Sequence, residues 1–502
     1  MRTLEQWLLV GVVAVVLLFS VFRFSFLADV PSGFFVDESS IGYNAWSILH
    51  SGLDEHGAAF PLYFKAFGDY KNPLFVYSVV PLLALFGDSI TSVRLASALW
   101  GAGALIVFFF LLRKMGFSRF GIWGAGLLLV TSPWFVQLSR VAFEVASVPF
   151  FLLSAVVIYY VLAESKKLSI GKIKLLVFLF ATSLAGAFYA YTATRMIAPL
   201  AFIVGLSLIH KKIGYKVFIL GGLLFGIYLL PLLFSQTVMS GALSARYGVV
   251  GLSHYTHSVG EFTREFLYNY IGHFSPHFLW NGADGNLRHV ATPYGSFFLS
   301  SIPFLLCGLY VLYKKIRHPF YSWLIFLLLA GPIPSALTIQ SPHVLRSVSF
   351  LVTLYVVAAL GLNWCLQFTG LKKLLTLFLI ACVVVQSIIF FYFYTHTFVK
   401  NSRAWFEAGT VEIMQHIAEY PQPVYLSTNL YQGTYATAFF FAQPQLNPYT
   451  SIQLFNPFTQ FSQQPGTYII TRQECATFAT QQNSTPFIMN DGACAFTISQ
   501  SE

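Results

Sequence analysis

Long apolar runs separated by short polar connections dominate the first 395 residues of the chain. A helix of roughly 20 apolar residues crosses the hydrocarbon core of a bilayer. The pattern predicts eleven such spans, at residues 7–27, 92–112, 120–138, 145–163, 175–191, 196–210, 215–234, 296–313, 320–338, 345–364 and 373–393. No small-residue cleavage site follows the first span, which favours a retained signal anchor over a cleaved signal peptide.

The charge of the connections predicts the topology, because short loops rich in lysine and arginine stay in the cytoplasm. Together with Arg2, the basic connections hold 16 of the 29 lysines and arginines; they lie at 113–119, 166–174, 211–216, 314–317 and 372–373. All of them share one side only if a further apolar stretch, Leu74–Gly87, does not cross. We therefore expect that stretch to be an interfacial or half-inserted helix on the outer face. The N-terminus is then cytoplasmic, and the chain after about residue 395 lies outside.

The composition agrees with a multi-pass protein. Of 502 residues, 56% are hydrophobic and 10% are charged, the mean hydropathy is +0.68, and a soluble domain carries roughly 25% charged residues. These values exclude a soluble enzyme, a disordered chain and a disulfide scaffold. The net charge of +10 follows from the basic connections, so we expect membrane lipids and no nucleic acid as partners. The predicted fold class is an all-α polytopic protein of the plasma membrane.

The acidic residues lie mostly on the predicted outer face. Seventeen of the nineteen are there, in the outer loops 28–91 and 235–295, at the outer helix ends and in the tail 396–502. Transporters place their ionisable groups near the bilayer midplane, whereas these spans have almost none at that depth. The layout favours a reaction at the outer interface. A multi-span transporter or flippase for a lipid-linked or small polar substrate remains the alternative, and a non-catalytic scaffold or receptor is a third class.

Two adjacent carboxylates, Asp37 and Glu38, follow the first span. Ile41, Ala45 and Ile48 mark one apolar face of a helix lying on the membrane. In one interpretation Asp37 caps that helix and Glu38 complements its dipole. In the other, both carboxylates lie where a lipid headgroup would bind.

The outer helix ends also carry cations. Lys71 precedes the short apolar stretch and is either a snorkelling lysine or a headgroup ligand. Arg140 and Glu144 can form a local i,i+4 ion pair or can belong to a site. Arg195, in the run Tyr191–Arg195 that ends another helix on the outer side, stands at a span end, where an arginine is usually only an anchor.

These motifs resemble those of one family, both in their order along the chain and in lying on the same side of the membrane. The acidic pair Asp37-Glu38, Lys71-Asn72-Pro73 before a short helix, Gly87-Asp88-Ser89 with Arg94-Leu95, and Ser139-Arg140-x-x-Phe143-Glu144 resemble the GT-C membrane glycosyltransferases. The similarity is to the protein O-mannosyltransferase and aminoarabinose transferase group, glycosyltransferase family 39 and its bacterial relatives. Gly285–His289 and Pro342–Arg346 resemble bacterial members, and the resemblance covers roughly residues 1–360. Two positions depart from the pattern: Asn72 replaces a second proline, and Glu144 replaces the more usual aspartate.

The resemblance implies a GT-C fold and an inverting transfer of a hexose or pentose from a polyprenyl-phosphate donor to an acceptor hydroxyl, as in cell-envelope glycan biosynthesis. Asp37 would be the catalytic base, and Lys71, Arg195 and Arg140 would stabilise the leaving phosphate. Glu38 and Glu144 would orient hydroxyl groups. Further substrate contacts would come from Arg288, His289, His343 and Arg346, each of which can equally be an ordinary loop residue. We expect no metal or other cofactor, and the acceptor can be a protein, a lipid or a glycan.

The tail is expected to form a separate small α/β domain outside the membrane, at 396–502, next to a transmembrane domain at 1–395. Its strand-like runs are Val424–Ser427, Thr467–Thr471 and Ala495–Ile498, and Ala404–Ala418 is helix-like. Cys475 and Cys494 can form a disulfide in an oxidising compartment. The domain either selects the acceptor or covers the catalytic face.

Overall fold

The computed structural model describes residues 2–165, 167–282 and 284–415, and beyond these the stretches 424–427, 436–437, 440–441, 452–455, 466–471, 484–488 and 494–501. The helices of the first half are α1 (Arg2–Phe22), α2 (Val36–Ser51), α3 (Pro73–Phe86), α4 (Ile90–Lys114), α5 (Arg119–Val130), α6 (Pro133–Leu138), α7 (Val148–Glu164), α8 (Ile170–Ala190), α9 (Thr194–Ile213) and α10 (Tyr215–Leu229). The helices of the second half are α11 (Pro231–Phe234), α12 (Gln236–Met239), α13 (Ala245–Val250), α14 (Val259–Gly272), α15 (Pro276–Trp280), α16 (Ile302–Lys314), α17 (Pro319–Ala330), α18 (Ile333–Ala336), α19 (Val348–Cys365), α20 (Gly370–Tyr392), α21 (Val399–Asn401) and α22 (Thr410–Gln415).

The described helices confirm a polytopic membrane protein. Nine of them, some continuing through adjoining turns, are long and apolar enough to cross a bilayer, and Arg119–Val130 and Leu299–Lys314 are shorter apolar helices. Together these match the eleven predicted spans. The further apolar stretch forms the 14-residue helix α3, which has Gly87 as its C-cap and is shorter than a span needs at 1.5 Å per residue. Helix α5 is shorter still, but α6 follows it after a break of two residues, so that the two together cover the predicted span 120–138.

The basic connections meet at one end of the bundle. A pocket of about 890 Å³ there is lined by residues of the connections 113–119 and 314–317, such as Met115 and Lys315, and by Glu164 and Gln367, which lead into two other connections. Lys212 of the connection 211–216 donates to the Ala163 carbonyl oxygen over 2.8 Å. His318 Nε2 lies 3.2 Å from Glu164 Oε2. The grouping of these connections on one side, which was inferred from charge, is therefore present in the fold.

Helix α19 forms the centre of the bundle and positions the loop that precedes it. Nearly all of its residues are buried, and it approaches α16 closely at two glycines. A Cβ at Gly308 would lie 1.9 Å from the Val357 carbonyl oxygen, and one at Gly361 would lie 1.8 Å from that of Phe304. Larger residues cannot be accommodated without separating the helices, so this contact fixes the height of α19.

The described part of the tail contains a five-stranded sheet. Its strands are β3 (Val424–Ser427), β4 (Ile452–Phe455), β5 (Gly466–Thr471), β6 (Ser484–Ile488) and β7 (Cys494–Ser501), and β1 (Phe64–Ala66) and β2 (Asp69–Lys71) form a separate hairpin. The sheet order is β4-β3-β5-β7-β6, with β3 parallel to β4 and β5 and the other pairs antiparallel. Three of the strands, β3, β5 and β7, coincide with the strand-like runs that the sequence predicts, whereas the separate domain as a whole stays a prediction. The proposed disulfide lies outside the described residues, since Cys475 is not among them.

The helix expected from Ala404 begins only at Thr410. Residues 402–409 form turns instead, because Glu407 and Gly409 adopt φ values of +54° and +97°, which are incompatible with a right-handed helix. The preceding helical run continues from Gly370 to Asn401. The turn segment packs on the loop before α2, where a Cβ at Gly33 would lie 2.2 Å from the Phe406 carbonyl oxygen.

Candidate active site

A cavity of about 770 Å³ opens at the end of the bundle where most of the candidate residues lie. Eight of the ten candidates line it: Asp37, Lys71, Glu144, Arg195, Arg288, His289, His343 and Arg346. They come from the start of α2, the β1–β2 hairpin, the turn before α7, the start of α9 and the loops before α16 and α19. The fold therefore gathers residues from six separate stretches of the chain.

Asp37 is paired with Lys71 and does not cap its helix. Phe35 occupies the N-cap position of α2 and makes no side-chain capping bond. Lys71 Nζ donates to Asp37 Oδ1 over 2.6 Å. The Asp37 side chain is 47% exposed and that of Lys71 is 10% exposed, so the carboxylate faces the cavity and the ammonium group lies in its wall.

The hairpin that carries Lys71 has the geometry of a type I′ turn. Phe67 and Gly68 form its two-residue loop, with φ values of +52° and +76°, as such hairpins require. Lys71 Nζ lies 5.4 Å from the centre of the Phe67 ring, within reach of a cation–π contact. The turn and the ring together hold the ammonium group beside Asp37.

The contact between Asp37 and Lys71 stabilises the charged form of both side chains. Burial alone would raise the pKa of Asp37, but the Lys71 ammonium, with smaller contributions from Arg288 and Arg246, holds it below its ordinary value. Burial would lower the pKa of Lys71, but Asp37 and Glu144 raise it above its ordinary value. Paired with Lys71, Asp37 is therefore a carboxylate of reduced basicity.

Glu38 does not reach the cavity. Arg94 donates to it twice, from Nε to Oε1 over 2.8 Å and from Nη2 to Oε2 over 2.7 Å. The Ala142 N–H donates to Oε1 over 2.8 Å, and both charged side chains are fully buried. The remaining Arg94 donors bind the carbonyl oxygens of the loop between α1 and α2, so the pair joins this loop to α4.

Arg140 is also outside the cavity. Its guanidinium donates to backbone carbonyl oxygens at the end of α1 and in the following loop, namely those of Phe22, Ser25, Phe26 and Val30. The guanidinium carbon lies 4.0 Å from the centre of the Phe22 ring. It forms no ion pair with Glu144 among the described residues, so the first of the two interpretations, a local i,i+4 ion pair, does not hold there.

Asn72 connects Glu144 to Arg195. The Asn72 backbone N–H donates to Glu144 Oε2 over 2.8 Å, and its side-chain amide donates to the same oxygen. Arg195 Nη2 donates to Asn72 Oδ1 over 2.6 Å. Asparagine is a favoured N-cap residue, yet Asn72 at the N-cap of α3 makes no capping bond, because its amide is engaged by these two charged side chains.

Arg288 links the cavity to the segment after the last span. Its Nε donates to the Trp405 carbonyl oxygen over 2.6 Å, and its Nη2 lies 3.8 Å from Glu407 Oε1. The guanidinium lies 4.9 Å from the centre of the Phe35 ring. Burial raises the pKa of Glu407 to about 7, although Arg288 and the Val36 N–H act in the opposite direction. The segment thus contacts the first turn of α2 directly beside Asp37.

Asp284, His289 and His343 form the cluster of possible metal ligands in the described part of the chain, with ligand atoms within 4.8 Å of one another. His289 Nδ1 lies 3.0 Å from Asp284 Oδ1, and the Val344 N–H donates to Asp284 Oδ2 over 2.8 Å. Burial would raise the pKa of Asp284, but the two histidines and these hydrogen bonds hold it well below its ordinary value.

The cluster does not fit a three-ligand metal centre. The backbone N–H groups of Leu345 and Arg346 point at His343 Nδ1 from 3.2 and 3.5 Å. That nitrogen is thus already an acceptor, whereas a histidine bound to metal through Nε2 normally donates from Nδ1.

The remaining arginines of this wall are partly engaged. Arg346 Nη1 donates to Thr338 Oγ1 over 2.8 Å and to the Gln340 carbonyl oxygen over 3.3 Å. Arg246 also lines the cavity, and its Nη1 lies 3.4 Å from Asp69 Oδ2 with 46% of its side chain exposed. It is the more accessible of the two.

Four residues of this region were not among the site residues predicted from the sequence: Asn72, Arg246, Asp284 and Glu407. Asn72 was noticed as a departure from the family motif, and that departure was the available signal. Asp284 stands five residues before His289, a spacing that could have been noticed. Arg246 and Glu407 carry no local pattern, and only the tertiary fold brings them to the cavity.

The fold is similar to that of a known enzyme. ArnT from Cupriavidus metallidurans in the apo state matches with a TM-score of 0.63 and 12% identity over 97% of this chain and 98% of that one. The same protein bound to undecaprenyl phosphate matches with a TM-score of 0.60 and 11% identity over 97% of both chains. No protein-family model and no curated protein sequence matches the chain. The structure therefore confirms the fold expected from the sequence motifs: this chain has the fold of ArnT, an aminoarabinose transferase of the GT-C family.

Proposed function

We propose that this protein is an inverting glycosyltransferase that moves a sugar from a polyprenyl-phosphate carrier to an acceptor hydroxyl at the outer face of the membrane. The observation that carries the proposal is the Asp37–Lys71 pair, a carboxylate and an ammonium group 2.6 Å apart at the wall of a polar cavity. The fold supports a lipid-linked donor, since one ArnT structure contains undecaprenyl phosphate.

In the proposed reaction the acceptor oxygen forms a bond to the anomeric carbon of the sugar. The bond from that carbon to the phosphate oxygen breaks, and its electron pair leaves on the phosphate. Asp37 takes the proton of the acceptor hydroxyl, and Lys71 stabilises the negative charge that grows on the leaving phosphate. One displacement of this kind inverts the anomeric carbon.

The Asp37–Lys71 ion pair makes the basicity of Asp37 depend on donor binding. Without donor, Lys71 holds the pKa of Asp37 below its ordinary value. A donor phosphate competes for the ammonium group, and the basicity of Asp37 then rises again. Asp37 therefore becomes an effective base only when a donor is bound.

The other cavity residues have supporting roles in this proposal. Arg195 and Arg246 add positive charge for the phosphate, and Glu144 orients a hydroxyl group of the sugar or acceptor. Glu38 and Arg140 we assign to folding, because neither lines the cavity and each makes several hydrogen bonds that join separate segments of the chain.

The test is release of sugar, with water as the acceptor hydroxyl, by the purified full-length protein from a panel of radiolabelled polyprenyl-phosphate hexoses and pentoses. Wild-type protein should release sugar from at least one of them. Asp37→Asn should lower turnover roughly 10²–10⁴-fold while donor affinity stays near normal. Asp29→Asn, an exposed residue outside the cavity, is the matched control. Absence of release from every donor, or wild-type turnover by Asp37→Asn, would contradict the proposal.

The proposal also places the N-terminus in the cytoplasm and the domain after the last span outside. Protease added to right-side-out vesicles should then digest residues 396–502. Protection of that region would put the cavity on the cytoplasmic side and overturn the orientation.

A further inference from the structure

The rings of His289 and His343 lie against each other in the cavity wall, where the Phe143 ring is 5.9 Å from that of His289. The centroids of the two histidine rings are 4.6 Å apart. The side chains are 12% and 9% exposed, and both line the cavity. In the described residues, the Nε2 atom of neither ring has a hydrogen-bond partner.

Hydrogen bonds at Nδ1 fix opposite tautomers on the two rings. Asp284 accepts the Nδ1 proton of His289 over 3.0 Å, so in the neutral form of this ring Nε2 carries a lone pair. His343 Nδ1 accepts backbone N–H groups from Leu345 and Arg346 over 3.2 and 3.5 Å, so the ring proton is on Nε2. Burial, with His289 and Arg346 nearby, lowers the pKa of His343 well below its ordinary value, which keeps the ring neutral.

With His289 in that form, the two rings offer the cavity one acceptor and one donor side by side. A hydroxyl group is a small neutral group that donates and accepts through a single oxygen. A phosphate or carboxylate oxygen only accepts, so it would meet the lone pair that Nε2 of His289 carries in the neutral ring. The pair thus suits a hydroxyl group, whereas Lys71 and the arginines that line the same cavity, Arg195, Arg246 and Arg346, suit an anion.

We propose that His289 and His343 form a subsite that recognises a hydroxyl group of the transferred sugar, with Asp284 as a positioning residue that fixes the tautomer of His289. This inference rests on the proposed function, because it assumes a polyprenyl-phosphate sugar in the cavity. It assigns recognition of the sugar and recognition of the phosphate to different walls. The pair then contributes to donor affinity only when a sugar is attached to the lipid.

Asparagine variants separate this role from a structural one. His343→Asn keeps an amide oxygen near the position of Nδ1 for the two backbone N–H groups, and His289→Asn keeps a donor for Asp284. Both variants lose the group at Nε2. His343→Gln restores a donor close to that position, and His277→Asn, at an exposed histidine that does not line the cavity, is the control.

The measurement is the affinity of each full-length variant for undecaprenyl phosphate and for the undecaprenyl-phosphate sugar that wild-type protein binds best. We expect both asparagine variants to bind the sugar-free lipid within twofold of wild type and the sugar-linked lipid about tenfold more weakly, as for the loss of one or two neutral hydrogen bonds. His343→Gln should recover most of that loss.

Equal weakening for both lipids would assign the histidines to the phosphate and overturn the subsite. Unchanged affinity for the sugar-linked lipid would overturn it as well. Micromolar or tighter zinc binding to chelator-treated protein, lost in both asparagine variants, would replace the subsite with a metal centre. If wild-type protein itself does not distinguish the two lipids, the proposed function fails together with this inference.

Discussion

Asp37 and Glu38 are adjacent acidic residues in the first turn of α2, and they have opposite surroundings. Asp37 has one cationic partner and a half-exposed carboxylate, whereas Glu38 accepts three hydrogen bonds and is fully buried with Arg94. A carboxylate whose bonds are all satisfied by protein groups has nothing left to offer a substrate. Catalytic groups are therefore to be expected among the charged side chains that the fold holds in place but does not fully hydrogen-bond.

The largest effect should come from breaking the buried pair. Glu38→Ala leaves the Arg94 guanidinium buried without its carboxylate, a change that typically costs about 3–5 kcal/mol. We expect little folded protein, measured as the yield of monodisperse material and its melting temperature. Asp37→Ala, the matched variant one residue away, should melt close to wild type. A Glu38→Ala protein that melts normally but is inactive would place Glu38 in the site after all.

The next effect concerns Asn72 and Glu144, which hydrogen-bond to each other and are the two positions that depart from the family pattern. The φ value of Asn72 is −79°, which proline can adopt. Asn72→Pro therefore removes the donors to Glu144 with little backbone strain, and we expect transfer to fall by about 10-fold, since roughly 1–3 kcal/mol follows from an unsatisfied buried group.

The double variant sharpens this test. In Asn72→Pro/Glu144→Asp the shorter carboxylate withdraws from the lost donors, and activity should exceed that of Asn72→Pro alone. Strictly additive losses in the double-mutant cycle would show that the two departures are independent.

A smaller effect separates two arginines at helix ends. Lysine cannot reproduce the several carbonyl bonds of Arg140, so Arg140→Lys should lower the melting temperature by a few degrees, as for a loss of about 1–2 kcal/mol. Its turnover per folded molecule should be unchanged. Arg195→Lys, in the cavity wall, should instead weaken donor binding. Weaker donor binding in Arg140→Lys, together with a lower melting temperature and normal donor binding in Arg195→Lys, would contradict these two assignments.

The smallest effect is a dependence of stability on pH. The pKa of Glu407 is raised to about 7 from an ordinary value of 4.5, so the unfolded chain releases this proton at lower pH than the folded protein does. The stabilising contribution is complete below about pH 4.5 and is lost as the pH rises through 7. Between these values the melting temperature of wild type should fall relative to that of Glu407→Gln, by roughly one to a few degrees. Parallel melting curves across this range would contradict the assignment.

Much of the fold could be predicted because a bilayer imposes strong rules on sequence. Apolar length located the spans, and basic loops such as 314–317 indicated which helix ends lie together. Motif order indicated the GT-C fold. The break at Thr131 between α5 and α6 was not visible in the hydrophobic pattern, since Ser132 caps the second helix through its side chain while the surrounding residues stay apolar.

The site was predicted less completely, because sequence reveals which residues carry charge but not which partners satisfy them. Glu38 and Arg140 look as reactive as Asp37 and Lys71 in the sequence, and they differ only through contacts with Arg94 and with the loop after α1. Those contacts join residues 56 and more than 100 positions apart. No local pattern can report them.

The most direct test of the central claim is a structure of the full-length protein with undecaprenyl phosphate. The account predicts the lipid phosphate in the cavity within hydrogen-bond distance of Lys71 Nζ, with the distance between Lys71 and Asp37 lengthened and the Glu38–Arg94 pair unchanged. A phosphate bound at the opposite, basic end of the bundle, or a Lys71–Asp37 pair that stays closed beside a bound lipid, would contradict it.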